Sequence, residues 1–483
     1  MQSGCMQEPH SFDYDVLIIG AGSAGLSALR AVRRHTERFA LIDAGPWGTT
    51  CARVGCMPSK LLLEAAHAFN RRHQFEAFGL RGAQQLHADI PAVLQRVRDE
   101  RNAFVAGVLE STEDLGPRAI TGRARIVDPH TVEIDGERRL SARSLVIATG
   151  SKPHVPEEWR VLGKRVLTTD TLFEQADLPR RMAVLGLGPL GTEMAQALAQ
   201  LGIEVTAFHA GEHVAGLADP QVNAALQQTL RASMQLQLGH RPSLGAVQDD
   251  GITIHAGDFC TQVDAVLAAT GRRPVVDGLG LENLGLPLDR HGLPELDRHT
   301  LQLGELSVFW AGDVNPDRAL LHEAADEGEI AGSNAVAAQP QAYARRTPLA
   351  ITFTEPSVAT IGLPYDPQWT DEVAIGGVDF ARQGRARMGL RNQGMLRLYA
   401  RAQGGELLGA QLCAPAGEHL AHLLAWAIGR KCSVADLLEL PFYHPVIEEG
   451  LRTALRDLQK HVHAPPAPGG LRFCAQPGLG GLD

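Results

Sequence analysis

Cys51 and Cys56 stand at CxxxxC spacing within Gly48-Thr49-Thr50-Cys51-Ala52-Arg53-Val54-Gly55-Cys56-Met57-Pro58-Ser59-Lys60. So short a loop can close a disulfide, and a helix starting at the pair favours thiolate over thiol at its positive end. That spacing alone serves structure as readily as chemistry. Here it follows closely on a glycine-rich loop, and this context makes the pair a candidate electron carrier.

The elements that must hold the pair are legible on either side. An apolar run at 15–19 reads as a buried parallel strand and enters Gly20-Ala21-Gly22-Ser23-Ala24-Gly25, followed by a helix over 26–33. In such a loop the glycines allow the tight turn, the approach of backbone to pyrophosphate, and helix–strand packing. The pyrophosphate then sits at the helix N-terminus. A second strand at 39–42 ends in Asp43, placed to bind a ribose hydroxyl. The pattern recurs: a strand at 182–185, then Gly186-Leu187-Gly188-Pro189-Leu190-Gly191, a helix over 192–201 and a strand over 203–208. Two loops imply two dinucleotides, and the cysteine pair beside the first implies that one is a flavin. In the second unit His209 stands where the ribose-binding acid belongs, followed by Ala210, Gly211 and Glu212. No Lys or Arg lies between Ile203 and Leu230 to meet a 2′-phosphate, so the spacing favours NAD over NADP. His209 or Glu212 would bond the bare hydroxyl; the alternative is a His209 that only faces solvent.

Composition narrows the class. The 483 residues allow two to four domains, and 44% hydrophobic with 21% charged residues is ordinary for a globular chain. A net charge of −10 argues against nucleic acid as partner and supplies no basic membrane patch. No apolar run approaches the ~20 residues that span a bilayer, so no membrane insertion is expected. The first twelve residues lack a signal-peptide pattern. Cys5, Cys260, Cys413, Cys432 and Cys474 are scattered, which fits a cytoplasmic protein whose one disulfide is catalytic. The histidines form no metal-ligand spacing, and no metal is expected.

With these motifs go Leu145-Val146-Ile147-Ala148-Thr149-Gly150, Ala268-Ala269-Thr270-Gly271, Ala311-Gly312-Asp313 and Phe442-Tyr443-His444-Pro445-Val446-Ile447-Glu448-Glu449. Together they resemble the flavin-dependent pyridine nucleotide–disulfide oxidoreductases from about residue 14 to 461, most closely the members that oxidise dihydrolipoyl groups with NAD⁺. The resemblance implies an α/β fold: two Rossmann-like dinucleotide-binding domains, for FAD and NAD, plus a C-terminal α+β dimerisation domain. The expected boundaries are 12–152 with 273–345 for FAD, 153–272 for NAD, 346–463 for the interface, and 464–483 as a flexible tail. No fused lipoyl domain is expected.

It also implies roles. FAD would contact the first loop through Gly20, Gly22, Ser23, Ala24 and Gly25, and then Asp43, Thr50 and Lys60. Gly122, Thr149 and Gly150 would follow, with Asp313 holding the ribityl chain. The segment Ala319-Leu320-Leu321-His322 would open a helix aimed at the flavin pyrimidine. NAD would contact Gly186, Gly188, Pro189, Leu190 and Gly191, with Glu193, His209 and Gly271. Lys60 and Glu193 resemble the family's pair beside the flavin. His444 with Glu449 resembles its proton-transfer dyad, supplied across a homodimer; Val446 departs from the threonine common at that place. The implied activity carries electrons from a dihydrolipoyl group, on a carrier protein or as free dihydrolipoamide, through Cys51 and Cys56 to FAD and NAD⁺. Three alternatives remain: an NAD(P)H-dependent reductase like glutathione reductase, a mercuric reductase, which would want a C-terminal cysteine pair, and a redox-competent subunit of a larger assembly.

Overall fold

The computed structural model describes residues 12–463, so the 464–483 segment lies outside the described residues. Its first sheet has a parallel centre, Phe39–Asp43, Tyr14–Ile19, Arg138–Ile147 and Val308–Trp310, made from runs apolar enough to be covered on both faces. Val16, Leu17 and Ile18 are 0% exposed. Ser23–Arg33 and Leu321–Val336 pack tightly, because a Cβ on Gly328 would stand 2.1 Å from the Ala24 carbonyl oxygen. Both the N-terminal strand and Val308–Trp310 therefore belong to one sheet, and the chain returns to it after leaving.

Between departure and return lies the second sheet, in the order Gln235–Leu238, Glu204–His209, Arg181–Leu185, Ala265–Ala268, Val166–Leu167. A three-stranded antiparallel layer, Ser243–Gln248, Gly251–Ala256 and Phe259–Val263, lies against it. The two crossings pair as antiparallel strands, Ser151–Pro153 with Arg272–Pro274. The C-terminal unit is a five-stranded antiparallel sheet carrying Gly417–Gly429 and Glu449–Gln459. No helix among the described residues is long and apolar enough to cross a membrane.

The loop helices start earlier than their apolar period implies. Ser23–Arg33 begins directly after Gly22, and Pro189–Gln200 begins at proline, whose missing N–H is no loss in a first turn. Ile90–Glu110 is capped by Asp89 Oδ1 accepting from the Ala92 amide at 3.0 Å. The helix expected to open at Ala319 instead opens at Leu321, with Leu320 as an extended N-cap.

A buried knot fixes the second unit against the C-terminal sheet. Asp219, 0% exposed, caps Pro220–Arg231 through the Gln221 and Val222 amides, and its other oxygen accepts from Arg397 Nε at 3.2 Å and Tyr399 OH at 3.0 Å. Gln411 Oε1 accepts the Ala218 and Asp219 amides. Burial first, and then the Asp219 charge, push the Tyr399 phenol well above its ordinary range.

Candidate redox and dinucleotide sites

Thr49 adopts φ +59° and caps the short Thr50–Arg53 helix, its hydroxyl accepting from the Ala52 amide at 3.1 Å. Cys51 lies inside that helix; Cys56 is the first residue of Cys56–Asn70. Both sulfurs are free thiols, and the pair is electrically asymmetric. The hydrogen bond from Cys51 lowers Cys56 from 9.0 to about 7; burial opposes this and the Lys60 charge assists it. Donating that bond, together with burial, pushes the Cys51 thiol far up. The two sulfurs are thus pushed in opposite directions, Cys56 toward the thiolate and Cys51 toward the thiol.

Lys60 sits one turn beyond Cys56, and its Nζ donates to both Glu193 oxygens, at 3.0 and 2.8 Å. Glu193 is 3% exposed and also accepts the Phe353 amide at 2.8 Å, while Lys60 Nζ lies 4.7 Å from the Phe353 ring centre. Gln196 exchanges two bonds with the Glu355 backbone, at 2.9 and 2.8 Å. The Pro189–Gln200 helix is therefore stitched to the C-terminal unit at the point where it meets the redox helix. Sequence separation hides this meeting: Lys60 and Glu193 are 133 residues apart.

The two glycine loops share one logic. A Cβ on Gly20 would meet the Ala148 carbonyl oxygen at 2.2 Å, and one on Gly25 the Gly20 oxygen at 1.8 Å. Gly186 and Gly191 repeat these clashes, at 2.4 Å from the Ala269 oxygen and 1.9 Å from the Gly186 oxygen. At Gly22 and Gly188 a Cβ would meet nothing within 4 Å. Their φ values, −77° and −65°, suit any residue. The fold itself needs the outer glycines, whereas the middle one leaves free space at a helix N-terminus, which is the cradle a pyrophosphate fits.

The strand-end residues also correspond. Asp43 Oδ2 accepts the Ala21 amide at 2.6 Å, and His209 Nδ1 accepts the Leu187 amide at 3.1 Å. His209 is half-buried, not solvent-facing, and burial lowers its pKa against an opposing backbone bond at His213. An Nδ1 that accepts an N–H is unprotonated, so His209 is neutral and adds no charge beside the second loop. Thr192 Oγ1 braces that loop through the Leu187 and Gly188 carbonyls. Pro189 is exposed and Leu190 half-buried beside it, while Gly271 takes φ +97° at the crossing.

Gly122 donates its amide to the Asp43 carbonyl at 2.9 Å, and Ile134 and Asp135 leave its Cβ no room. Thr50 is exposed. Thr149 Oγ1 is buried with no protein partner, and Gly150 follows at φ +70°. Asp313 Oδ2 accepts from Ser151 Oγ at 2.9 Å. Its loop is braced by Glu327, 1% exposed, which accepts the Gly312 amide at 2.8 Å and Asn315 Nδ2 at 3.2 Å. Ala319, Leu321 and His322 are exposed and Leu320 is half-buried. An orphaned hydroxyl, a braced carboxylate and an exposed helix start, all near the first loop's sheet, suit a bound flavin.

His444 stands apart. It is 78% exposed on its side chain, with Nδ1 3.1 Å from both Glu449 oxygens; no described hydrogen bond or ion pair joins it to either cysteine. This bond is the first cause lowering the Glu449 pKa. Glu449 also accepts the Val446 amide at 3.4 Å, and Gln383 Nε2 donates to the Val446 carbonyl at 2.7 Å. Sequence reasoning missed Ser151, Gln383, Glu327 and Arg272. Ser151 and Arg272 could have been found as the residues following the two Thr-Gly crossings.

Residues 14–328 match the pyridine nucleotide-disulphide oxidoreductase family, and 349–455 its dimerisation domain, which supports a homodimer. The chain is 28% identical to mercuric reductase of Staphylococcus aureus over 93% of its length and 83% of the relative's. It is also 28% identical to dihydrolipoyl dehydrogenase of Geobacillus stearothermophilus, over 91% and 95%. Among solved structures, LpdA from Mycobacterium tuberculosis superposes with a TM-score of 0.80 at 24% identity, covering 92% of this chain and 99% of that one. The HOCl-induced flavoprotein disulfide reductase RclA from Escherichia coli does so at 0.79 and 22%, covering 92% and 99%. At such identities these structures speak for the fold. Family membership implies FAD and NAD(P) as cofactors. The matched regions, the paired glycine cradles and the asymmetric cysteines agree: this chain is a member of the pyridine nucleotide-disulphide oxidoreductases.

Proposed function

We propose that the protein oxidises dihydrolipoyl groups to lipoyl groups with reduction of NAD⁺, as a homodimer in the cytoplasm. The observation that carries this reading is geometric: the Cys51–Cys56 pair stands at the start of the Cys56–Asn70 helix, and Lys60, one turn on, is bonded to both Glu193 oxygens; in that setting Cys56 is lowered and Cys51 raised. In the oxidised pair, a substrate thiolate attacks Cys51 Sγ and expels Cys56 as thiolate, the better leaving group of the two. The second substrate thiolate attacks the mixed disulfide at the substrate sulfur. Cys51 leaves and takes up a proton, which its raised pKa retains. His444 of the partner subunit, oriented by its Glu449 bond, accepts a proton from the entering dithiol.

Residues 12–152 and 273–345 would hold FAD and residues 153–272 would hold the nicotinamide nucleotide; bound there, the two would supply the acceptors for the electron pair left on Cys56. Lys60 would place positive charge beside that flavin, its ammonium aimed by the bonds to both Glu193 oxygens. NAD rather than NADP is favoured by a neutral His209 and by the absence of Lys or Arg between Ile203 and Leu230.

The test compares purified dimer with dihydrolipoamide and NAD⁺ or NADP⁺, with glutathione disulfide and NADPH, and with mercuric ion and NADPH. The first combination with NAD⁺ should be fastest by at least tenfold. Preference for either reductase assay would refute the substrate, and preference for NADP⁺ the cofactor.

A further inference from the structure

Where the chain crosses between its two nucleotide-binding units, a side-chain relay runs from one crossing to the other and on to the Asp313 loop. Arg272, the residue after Gly271, donates from Nε to Ser151 Oγ at 2.7 Å and from Nη2 to the Ser151 carbonyl at 2.6 Å. Ser151, the residue after Gly150, donates from Oγ to Asp313 Oδ2 at 2.9 Å. The backbone encloses this chain: Ser151–Pro153 pairs with Arg272–Pro274, and the Val275 amide donates to the Gly150 carbonyl at 2.9 Å.

A serine hydroxyl has one proton. Arginine only donates, so its Nε–H occupies a lone pair of Oγ and the hydroxyl proton is committed to Asp313. The guanidinium charge polarises that hydroxyl and makes it a stronger donor to the carboxylate. Asp313 is thereby turned with Oδ2 engaged, and Oδ1 makes no hydrogen bond to another described residue.

We propose that Ser151 and Arg272 are positioning residues for the flavin: through the relay they orient Asp313, and they couple retention of FAD to the closed crossing between the two units. The inference rests on the reading of Asp313 as the carboxylate that holds FAD. It adds that a residue leaving the second unit, Arg272, governs how tightly the first unit keeps its cofactor.

The test is FAD release from the holoenzyme, followed as the rise of free-flavin fluorescence after dilution. Ser151→Ala should speed release roughly tenfold, the scale of one charge-assisted hydrogen bond. Arg272→Leu should speed it similarly in wild type and add nothing in the Ser151→Ala background, whereas Ser151→Thr should restore wild-type retention. Additive effects of Arg272→Leu and Ser151→Ala would mean that Arg272 acts only on the strand pairing, and would overturn the relay. Asp313→Ala separates the two levels. If it releases FAD and Ser151→Ala does not, the relay is wrong and the Asp313 reading stands; if it retains FAD, both fall.

Discussion

Replacing Cys51 by alanine removes the leading cause of the low Cys56 pKa, and the consequence can be computed. With the Cys51 bond in place, Cys56 is lowered from 9.0 to about 7. Each pKa unit is a tenfold change, so a return toward 9.0 cuts the thiolate present at pH 7 by at least about tenfold. Lys60 continues to pull downward and burial upward. Cys51→Ala should therefore slow alkylation of Cys56 at pH 7 by at least about tenfold and move the midpoint of its pH profile upward. Cys51→Ser keeps a donor and should hold most of the low midpoint. The assay is iodoacetamide alkylation of the reduced protein against pH, in forms with and without flavin, reading the modified peptide by mass. An unchanged midpoint in Cys51→Ala would refute the hydrogen bond as the cause. A raised midpoint in Lys60→Met alone would show that the Lys60 charge dominates.

The cradle glycines separate fold from ligand: Gly188→Ala should leave Tm unchanged while weakening NAD⁺ binding at least tenfold, whereas Gly191→Ala, facing an oxygen at 1.9 Å, should lower Tm sharply. Unchanged nucleotide affinity in Gly188→Ala would show that the free space there is not the pyrophosphate cradle. Asp219→Ala strips two cap bonds and leaves Arg397 and the Tyr399 hydroxyl without their acceptor; denaturant unfolding should show a loss of about 3–5 kcal/mol. Gln383→Leu frees the Val446 carbonyl and should lower kcat for dithiol oxidation several-fold while sparing NADH oxidation by an artificial electron acceptor. Equal losses in both reactions would place the Gln383 effect elsewhere than the His444 loop.

Local chemistry was legible because local constraints write themselves into spacing. A glycine three residues beyond another, an apolar run before it and an acid after it encode a strand, a turn and a helix. Gly20, Gly25, Gly186 and Gly191 are required by backbone atoms within their own unit. Helix starts were displaced because apolar period marks only the buried face, whereas capping and proline geometry set the first turn. The sequence motif could name His209 but not its direction. Only the fold turned Nδ1 back to the Leu187 amide, the contact that leaves the imidazole neutral.

What the amino-acid order determined by itself was the family, the cysteine pair and the two cradles, all written in residues close together along the chain. Only the tertiary structure brought Lys60, one turn beyond Cys56, to the Glu193 carboxylate 133 residues away. It alone showed that Arg272 reaches Ser151 and Ser151 reaches Asp313, across separations of 121 and 162 residues. Long-range polar partners leave no periodic trace in sequence, since a hydrogen bond constrains two atoms in space and nothing of the chain between them.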